Sequence, residues 1–414
     1  MKILIIGSGA QGSDIAKYLV KRSDVSQIML ADIDLKKAQE TAERVNKEKV
    51  SPRRLDASNS EEILEAAKGV DVVVNAVIPK FNLTIMEEAL KAGANYVDLA
   101  SGPPYENIER QLELSDRWKD RGITALINTG ISPGVTNVVI ACCADKLDHV
   151  DEIRIIGGSK IRPGAQFVEG KEILGSSWSP ETFWSDMLSP PVVFEDGEWK
   201  TVPPFSGEEI YEFPEPLGPC TVVDHIHEEV FTIPRFIGKG LKSMHVKFGW
   251  FPGILIAKAV SELGLWSDEP IEVKGVKVAP RDLFLKLIKP IPTTEELISK
   301  IEARALIEQV GASIMEIKGE KGGIQTTYRA SAVRRGTYRS IYEAYEEYGR
   351  SFLERPGIVG VSAAIFTHML GGGEIKTRGV IPPEALGPEE RETFLVRLAE
   401  QGFIYNLSVE RRLI

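Results

Sequence analysis

Two histidines that stand two positions apart are the first catalytic candidates in this sequence. The chain has five histidines, and His225 and His227 lie in the run Asp224-His225-Ile226-His227-Glu228-Glu229. Imidazole changes its charge near neutral pH, which makes it the commonest general base in enzymes. Side chains two positions apart on a strand share a face. We therefore predict that His225 and His227 project together from a strand, with Ile226 and Glu228 on the opposite face. A solvated strand face stays open as the alternative. No third ligand stands at a definable spacing, so we predict no metal site.

A second chemical signal is the glycine-rich run Gly7-Ser8-Gly9-Ala10-Gln11-Gly12. Between a strand and a helix, the first glycine permits a tight turn, the second lets the backbone approach a pyrophosphate, and the third allows close packing. Asp32 lies 20 residues past Gly12, where a carboxylate binds the ribose hydroxyls of NAD. The residues predicted to hold this part of the cofactor are Gly7, Gly9, Ala10, Gln11, Gly12, Asp32 and Ile33.

The carboxylate of Asp32 also bears on which dinucleotide binds. It repels the 2′-phosphate of NADP, so we predict NAD, while the nearby Lys36 and Lys37 keep NADP possible.

Residues at the ends of later strands belong to the same predicted crevice, because ligands of such sheets lie outside the carboxyl ends of the strands. We expect further cofactor contacts from Asp56 and Ala57, from Asn75, Ala76, Val77 and Ile78, and from Asp98 and Leu99. Asp98 is also a catalytic candidate, since it could orient the nicotinamide ribose or a substrate ammonium. Each position could instead be an ordinary capping or solvated turn.

The elements that must position these residues alternate in the first third of the chain. Apolar runs at 3–6, 27–31, 70–77, 95–100 and 123–128 predict strands, and the segments between them predict helices, including one over 35–46 capped by Asp34 and one over 105–121. Crossovers of that length require a doubly wound parallel sheet, a Rossmann-type α/β fold. From about residue 150, longer alternating runs such as 222–233 and 241–248 predict a second, antiparallel α+β domain, with a hairpin over 311–318 and 324–333.

Composition excludes several classes of partner. The formal net charge is −10, three cysteines allow no disulfide framework or CxxC site, and no apolar run reaches the length of a membrane span. We therefore expect a cytoplasmic protein that binds neither nucleic acid nor membranes.

Three motifs resemble the saccharopine dehydrogenase family. They are Asn75-Ala76-Val77-Ile78-Pro79, Tyr96-Val97-Asp98-Leu99-Ala100 and Gly130-Ile131-Ser132-Pro133-Gly134-Val135-Thr136-Asn137, with Pro133 expected as the first residue of a helix. The segment from Pro356 to Glu384 is similar to the part of that family that returns to the dinucleotide domain. The resemblance implies a dinucleotide-binding domain over 1–132, an α+β substrate and dimerisation domain over 133–350, and a returning segment over 351–414.

The resemblance also implies an activity, an NAD(P)-dependent oxidation of the C–N bond of an amino acid or a derived amine. Ser132 replaces the aspartate of saccharopine reductases, which favours a lysine 6-dehydrogenase-like enzyme over one acting on saccharopine. Hydride can leave such an amine only when the nitrogen is neutral, and His225 or His227 would supply the base. The candidates for substrate contacts are Ser101, Ser132, His225 and Arg235, with Arg162 and Arg329 as other arginines for a substrate carboxylate.

Two other functions stay open at this stage. A sugar or inositol dehydrogenase would carry Glu-Lys-Pro after the fifth strand, where this chain has Ala100-Ser101-Gly102-Pro103. A regulator that binds NAD without catalysis would keep the fold alone. We expect a small amino-acid-like substrate and a homodimer, the commonest oligomer.

Overall fold

The computed structural model describes residues 1–161, 179–288, 293–305, 309–334 and 341–412. The chain divides into two compact units. The first comprises Met1–Asp148, Phe231–Lys239 and Arg355–Ile404, and the second comprises His149–Val230, Gly240–Glu354 and Tyr405–Ile414. The sequence predicts domain boundaries at residues 132 and 350, and the units in the structure have boundaries at residues 148 and 354.

The strands of the described residues are β1 (Lys2–Ile6), β2 (Gln27–Asp32), β3 (Val50–Arg54), β4 (Val72–Asn75), β5 (Asn95–Asp98), β6 (Thr124–Leu126), β7 (His149–Ile161), β8 (Val192–Glu195), β9 (Glu198–Thr201), β10 (Glu209–Glu212), β11 (Pro219–Asp224), β12 (Ser243–Phe251), β13 (Ile271–Val273), β14 (Val276–Val278), β15 (Gln309–Lys321), β16 (Ile324–Arg334), β17 (Gly379–Ile381) and β18 (Phe403–Arg411).

The helices of the described residues are α1 (Ala10–Leu19), α2 (Leu35–Asn46), α3 (Ser60–Ala67), α4 (Asn82–Ala92), α5 (Glu106–Leu112), α6 (Ser115–Asp120), α7 (Thr136–Ala144), α8 (Pro180–Leu188), α9 (Glu229–Ile237), α10 (Gly253–Glu262), α11 (Pro280–Leu287), α12 (Thr294–Glu302), α13 (Ile341–Tyr348), α14 (Ser351–Glu354), α15 (Ile358–Gly371) and α16 (Pro388–Glu400). None of them has the combination of length and apolar composition that a membrane crossing needs.

The first unit is built on a parallel sheet in the order β3-β2-β1-β4-β5-β6-β17. The order reverses between β1 and β4, as in dinucleotide-binding sheets. The apolar side chains of β1, from Ile3 to Ile6, are at most 1% exposed, because helices cover both faces. The predicted Rossmann-type α/β fold is confirmed, and β17 adds a strand from the C-terminal segment beside β6.

Local signals for several helices act as the sequence suggests. The Asp34 side chain accepts hydrogen bonds from the N–H groups of Lys36 and Lys37 and so caps α2. Gly93, with φ +75°, ends α4. The long helix predicted over 105–121 is wrong, because the chain forms α5 and α6 with a break at Glu113 and Leu114. Pro133 does not begin a helix, since its ψ of 158° is extended and α7 starts at Thr136.

The second unit contains a mixed sheet in the order β10-β11-β12-β7-β15-β16-β18, with β8 pairing to β12 and β9 to β8. Most of its pairs are antiparallel, but β12 runs parallel to β7, which corrects the wholly antiparallel prediction. The predicted hairpin is confirmed as β15 and β16, which turn at Gly322 and Gly323. Trp184, Trp250 and Phe284 form an aromatic core in this unit.

The strand predicted over 222–233 is confirmed only as far as Asp224, and the rest of the prediction is wrong. β11 ends at Asp224, residues 225–228 form a loop, and α9 begins at Glu229. The physical reason is visible in the apolar spacing of Val230, Ile233 and Ile237, which recurs at three and four positions and suits a helix. His225 and His227 therefore lie on a loop rather than on a strand.

Candidate functional site

The glycine-rich turn joins β1 to α1 and brings the backbone into contacts that only glycine permits. Gly7 has a φ of +109°, and a Cβ at Gly12 would lie 1.8 Å from the Gly7 carbonyl oxygen. Gly9 is the N-cap of α1, and no side chain caps the first turn of that helix. A Cβ at Gly9 would have no atom within 4 Å. Ala10 is exposed, and Gln11 is half-buried beside it. The turn therefore fits a pyrophosphate, which would accept hydrogen bonds from the first N–H groups of the helix.

Asp32 stands at the end of β2, directly against this turn. Its Oδ2 accepts hydrogen bonds from the backbone N–H and the hydroxyl of Ser8, at 2.8 and 2.7 Å, and its Oδ1 accepts one from Asp34 N at 3.1 Å. Burial opposes its charge, but these hydrogen bonds and Lys37 outweigh burial and lower the pKa of the carboxyl. The side chain is therefore charged at neutral pH, next to Ile33, which is 62% exposed.

The polar residues that follow β3 and end β4 make different hydrogen bonds. Asp56 accepts hydrogen bonds from the N–H and hydroxyl of Ser58, so its carboxylate caps its own turn, with Ala57 buried beside it. Asn75 is 1% exposed and its Oδ1 accepts a hydrogen bond from Val77 N at 3.1 Å. Beyond Asn75 the chain opens to solvent, with Ala76 and Val77 half-buried and Ile78 51% exposed. These positions remain predicted cofactor contacts.

Asp98, at the end of β5, is 1% exposed. Its carboxylate accepts hydrogen bonds from Asn128 N and Gln111 Nε2, both at 2.7 Å, and from Asn82 Nδ2 at 3.3 Å. Thr129 donates its N–H and hydroxyl to the carbonyl oxygen of Asp98. Asp98 is thus bound to residues of α4 and α5 and to the chain after β6, and its catalytic role stays a prediction.

Ser101 follows the half-buried Leu99 and Ala100 in the sequence and is itself fully buried. Its hydroxyl donates to Asn128 Oδ1 at 2.7 Å. Asn128 has a φ of 62°, unusual for a residue with a side chain, and its Nδ2 has no hydrogen-bond partner among the described residues. The hydroxyl of Ser101 therefore contacts Asn128, which the sequence did not single out, and the contact of Ser101 with a substrate stays a prediction.

The turn that carries Ser132 is held from the C-terminal segment. Gly134, with φ +131°, donates its N–H to Asn137 Oδ1 at 2.7 Å, and Asn137 Nδ2 donates to Glu384 Oε2 at 2.9 Å. Glu384 is 2% exposed. Ser132 itself is half-buried. A buried carboxylate far along the chain thus fixes the conformation of the turn.

His225 and His227, both in the second unit, lie close together, with ring centroids 5.8 Å apart. His227 Nδ1 is 2.5 Å from Glu229 Oε2 and 3.3 Å from Glu228 Oε2. The predicted separation of His227 and Glu228 on opposite faces is therefore wrong, because a loop does not alternate its side chains as a strand does. His227, Glu228 and Glu229 each place one ligand atom within 4.8 Å of the others, an arrangement that a metal ion could use. The direct contact between His227 and Glu229 satisfies both groups without one, and the prediction of no metal stays a prediction.

The pKa values of the two imidazoles are shifted in opposite directions. Burial and the positive charge of His227 lower the pKa of His225 to about 3. Burial opposes the charge of His227, but Glu229, Glu228 and Asp186 outweigh it and raise the pKa of His227 to about 10. At neutral pH, His225 is uncharged and His227 is an imidazolium. Neither pKa lies near 7, where the sequence argument places the pKa of a base.

The arginine candidates have different environments. Arg235 lies on α9 in the first unit, rather than in the second domain as expected, and it forms an ion pair with Glu109 of α5. Arg329 pairs with the buried Glu316 at 2.9 Å. Arg162 lies outside the described residues.

Comparison with known proteins decides the family. The saccharopine dehydrogenase NADP binding domain matches residues 3–126, and the saccharopine dehydrogenase C-terminal domain matches residues 130–403. The chain belongs to the saccharopine dehydrogenase family. It is accordingly an oxidoreductase of that family with an NAD(P)-binding domain, as the motifs around Asn75, Asp98 and Pro133 predicted.

Relatives from this family align with most of the chain. A carboxyaminopropylagmatine dehydrogenase of Synechocystis is 26% identical over 97% of this chain and 96% of its own length. A carboxynorspermidine synthase of Vibrio cholerae is 28% identical over 71% of this chain and 74% of its own length. The solved saccharopine dehydrogenase of Saccharomyces cerevisiae, 16% identical, covers 99% of both chains with a TM-score of 0.69, which shows a shared fold.

Several buried polar residues of the first unit escaped the sequence analysis, namely Ser8, Asn82, Gln111, Asn128 and Glu384. Ser8 stood inside the glycine motif and could have been found as a partner for the carboxylate of Asp32. Glu384 stood at the end of the family-like segment from Pro356, and the others belong to no local motif. Their roles come from contacts between residues that are distant in sequence, such as Asn137 with Glu384.

Proposed function

We propose that this chain is an NAD(P)-dependent oxidoreductase of a carboxylated secondary amine, in which an amino-acid head group is joined through nitrogen to a diamine or polyamine. The observation that carries the proposal is the match of both family domains, together with relatives whose names describe carboxylated derivatives of agmatine and norspermidine. Lysine, expected from the first resemblance, remains a candidate amine.

The cofactor would be held by the first unit. The turn from Gly7 to Gly12 would bind the pyrophosphate, and Asp32 would bind the adenosine ribose. When bound, the nicotinamide ring supplies the acceptor or donor of hydride. The charge of Asp32 favours NAD, whereas the exposed Lys36 and Lys37 could attract a 2′-phosphate, so both cofactors belong in the assay.

The histidines would manage the proton of the substrate. Two neighbouring groups whose pKa values are pushed apart are suited to opposite roles, one as base and one as acid. The pKa of His225, about 3, is too low for it to deprotonate an ammonium, so the amine would bind uncharged and His225 would accept a hydrogen bond from its N–H. The imidazolium of His227 would donate a proton to the amine nitrogen that leaves when water hydrolyses the imine. The negative charges of Asp186, Glu228 and Glu229 in the same unit favour a cationic amine over a neutral polyol.

The test is a NAD(P)H absorbance assay of amine oxidation with NAD and with NADP. The substrates compared are carboxyaminopropylagmatine, carboxynorspermidine, saccharopine, lysine and myo-inositol. The proposal expects turnover of at least one carboxylated secondary amine and none of inositol. Turnover of inositol alone would favour the sugar dehydrogenase alternative.

Variants at the histidines test the proposed proton transfers. His225→Ala and His227→Ala should each reduce turnover by about a hundredfold, the usual scale of general acid–base catalysis. Unchanged turnover in both variants would remove them from the mechanism and leave the cofactor site untouched.

A further inference from the structure

A buried hydrogen-bond network connects the ends of three neighbouring strands in the first unit. At its centre, Asp98 of β5 accepts hydrogen bonds from Asn128 N, Gln111 Nε2 and Asn82 Nδ2. The hydroxyl of Tyr96 adds a contact with the same carboxylate, and burial together with the charge of Asp98 raises the pKa of that tyrosine. A buried carboxylate surrounded by donors is strongly stabilised in its charged form.

The network reaches the backbone one or more residues past each strand. Asn82 donates its Nδ2 to Ala100 O at 2.9 Å, beyond β5, and accepts a hydrogen bond from Asn75 Nδ2 at 2.8 Å. Asn75 in turn accepts from Val77 N, beyond β4. With Asn128 N beyond β6, the main chain at 77, 100 and 128 is fixed through a single carboxylate.

The position of these strand ends indicates which part of the cofactor they face. A sheet of this order consists of two mononucleotide-binding halves, one on each side of the reversal between β1 and β4. The glycine turn and Asp32 lie at the ends of β1 and β2, in the half that takes the adenine nucleotide. The Asp98 network lies at the ends of β4, β5 and β6, in the other half. The nicotinamide nucleotide would therefore bind to that half.

From this placement we infer that Asp98 is a positioning residue for the nicotinamide half of the cofactor, acting through the backbone at 77, 100 and 128. Its carboxylate is 1% exposed and bound to its neighbours, so it acts on the ligand through them rather than by contact. The inference rests on the proposed cofactor site and assigns Asp98 a role other than the catalytic one predicted from the sequence.

The experiment separates the two halves of the cofactor by their ligands. Dissociation constants are measured calorimetrically for NAD(P)H and for the matching ADP or 2′-phospho-ADP, which lack both the nicotinamide and its ribose. Asp98→Asn replaces a carboxylate oxygen by an NH2 group that faces other donors, and should weaken NAD(P)H binding about tenfold or more. Binding of the ADP ligand should stay within about twofold, because the glycine turn and Asp32 are unchanged.

A matched control lies in the same sheet, at the amino end of a strand rather than at its carboxyl end. Thr124 is fully buried at the start of β6, and its hydroxyl donates to Thr377 O at 2.6 Å. Thr124→Val removes a buried hydrogen bond and should lower the melting temperature without changing the ratio of the two dissociation constants.

Asn82→Ala provides a second route if Asp98→Asn fails to fold. It removes the bonds to Ala100 and Asp98 and should also weaken NAD(P)H selectively. Equal losses for both ligands, or no loss for either, in the folded variant would overturn the inference. Failure of the wild-type protein to bind either ligand would instead contradict the proposed cofactor site.

Discussion

The ion pair of His227 and Glu229 offers a sharp perturbation, because Glu229 is fully buried and lies 2.5 Å from the imidazole. Glu229→Gln keeps the size of the side chain and removes its charge. Burial would then dominate, while Glu228 and Asp186 would retain part of their effect. We expect the pKa of His227 to fall by two units or more from about 10.

The expected loss of stability follows from the same contacts. Each pKa unit corresponds to about 1.4 kcal/mol, so a fall of about two units removes roughly 3 kcal/mol, which agrees with the range for a broken buried pair. Because the folded state raises the pKa of His227 above its unfolded value of 6.5, this stabilisation is complete below pH 6.5 and is lost as the pH rises through about 10. The free energy of unfolding of the wild-type protein should therefore decline over that interval, and less so in the variant.

His225 has the opposite linkage. Its pKa is lowered in the folded state to about 3, so the stabilisation is present above pH 6.5 and is lost as the pH falls towards 3. This decline on the acid side should remain in Glu229→Gln, because burial and the charge of His227 would still lower the pKa of His225.

The assay combines NMR titration of isotope-labelled histidines with urea unfolding at pH 7 and pH 9. Glu195→Gln is the control, since Glu195 is 42% exposed and lies 3.5 Å from His245. That variant should change the free energy of unfolding by no more than about 0.5 kcal/mol. The reasoning is refuted if His227 of the wild-type protein titrates near 6.5, or if Glu229→Gln leaves its titration unchanged.

Three further predictions concern the first unit. Gly12→Ala should lower the free energy of unfolding by about 3 kcal/mol, because its Cβ would meet the Gly7 carbonyl. Gly9→Ala lies at an open position with φ −67°, so its free energy of unfolding should stay within about 0.5 kcal/mol of wild type, while it binds NAD(P)H less tightly. Equal stability of the two variants in urea would contradict the packing argument. Asp32→Ala should weaken NAD about tenfold and NADP less, measured by calorimetry, since it removes a ribose acceptor and a charge that repels the 2′-phosphate; a greater loss for NADP would count against this role. If Arg235 binds the substrate carboxylate, Arg235→Ala should raise KM about tenfold while Glu109→Ala leaves it near wild type, and equal effects on KM would reduce the pair to an ordinary ion pair.

The sequence predicted the first unit well because its signals are local. The β-branched run before Gly7, the spacing of Gly12 and Asp32, and the cap at Asp34 each act within one turn or one crossover. Local patterns also explain the errors. The break between α5 and α6 at Glu113 carries no glycine or proline, so a periodic reading continued through it.

The second unit was harder to predict because short apolar runs fit a strand and a helix alike. The apolar run that includes Val230 and Ile233 predicts a continuation of the strand β11, although its spacing also suits the helix α9 that contains both residues. This single error moved His225 and His227 from a strand to a loop. The raised pKa of His227 then depends on Glu229, Glu228 and Asp186, which outweigh its burial. The contribution of Asp186 comes from another element of the unit, which no local pattern reveals.

The network around Asp98 shows the same limit within the well-predicted unit. The sequence identified Asp98 by its position after a strand, but Asn82, Gln111 and Asn128 surround it from three other segments. Strand order could be predicted from the crossovers, whereas the partners of a buried carboxylate depend on side-chain contacts that only the folded chain defines.

Transfer of a labelled hydride tests the central claim most directly. Carboxyaminopropylagmatine carrying deuterium on the carbons next to its secondary nitrogen is incubated with the protein and NAD or NADP, and the reduced cofactor is analysed by NMR. The account predicts one deuterium at C4 of the nicotinamide for each amine released. Amine release without a deuterated cofactor, or reduced cofactor formed with inositol and with no amine, would contradict it.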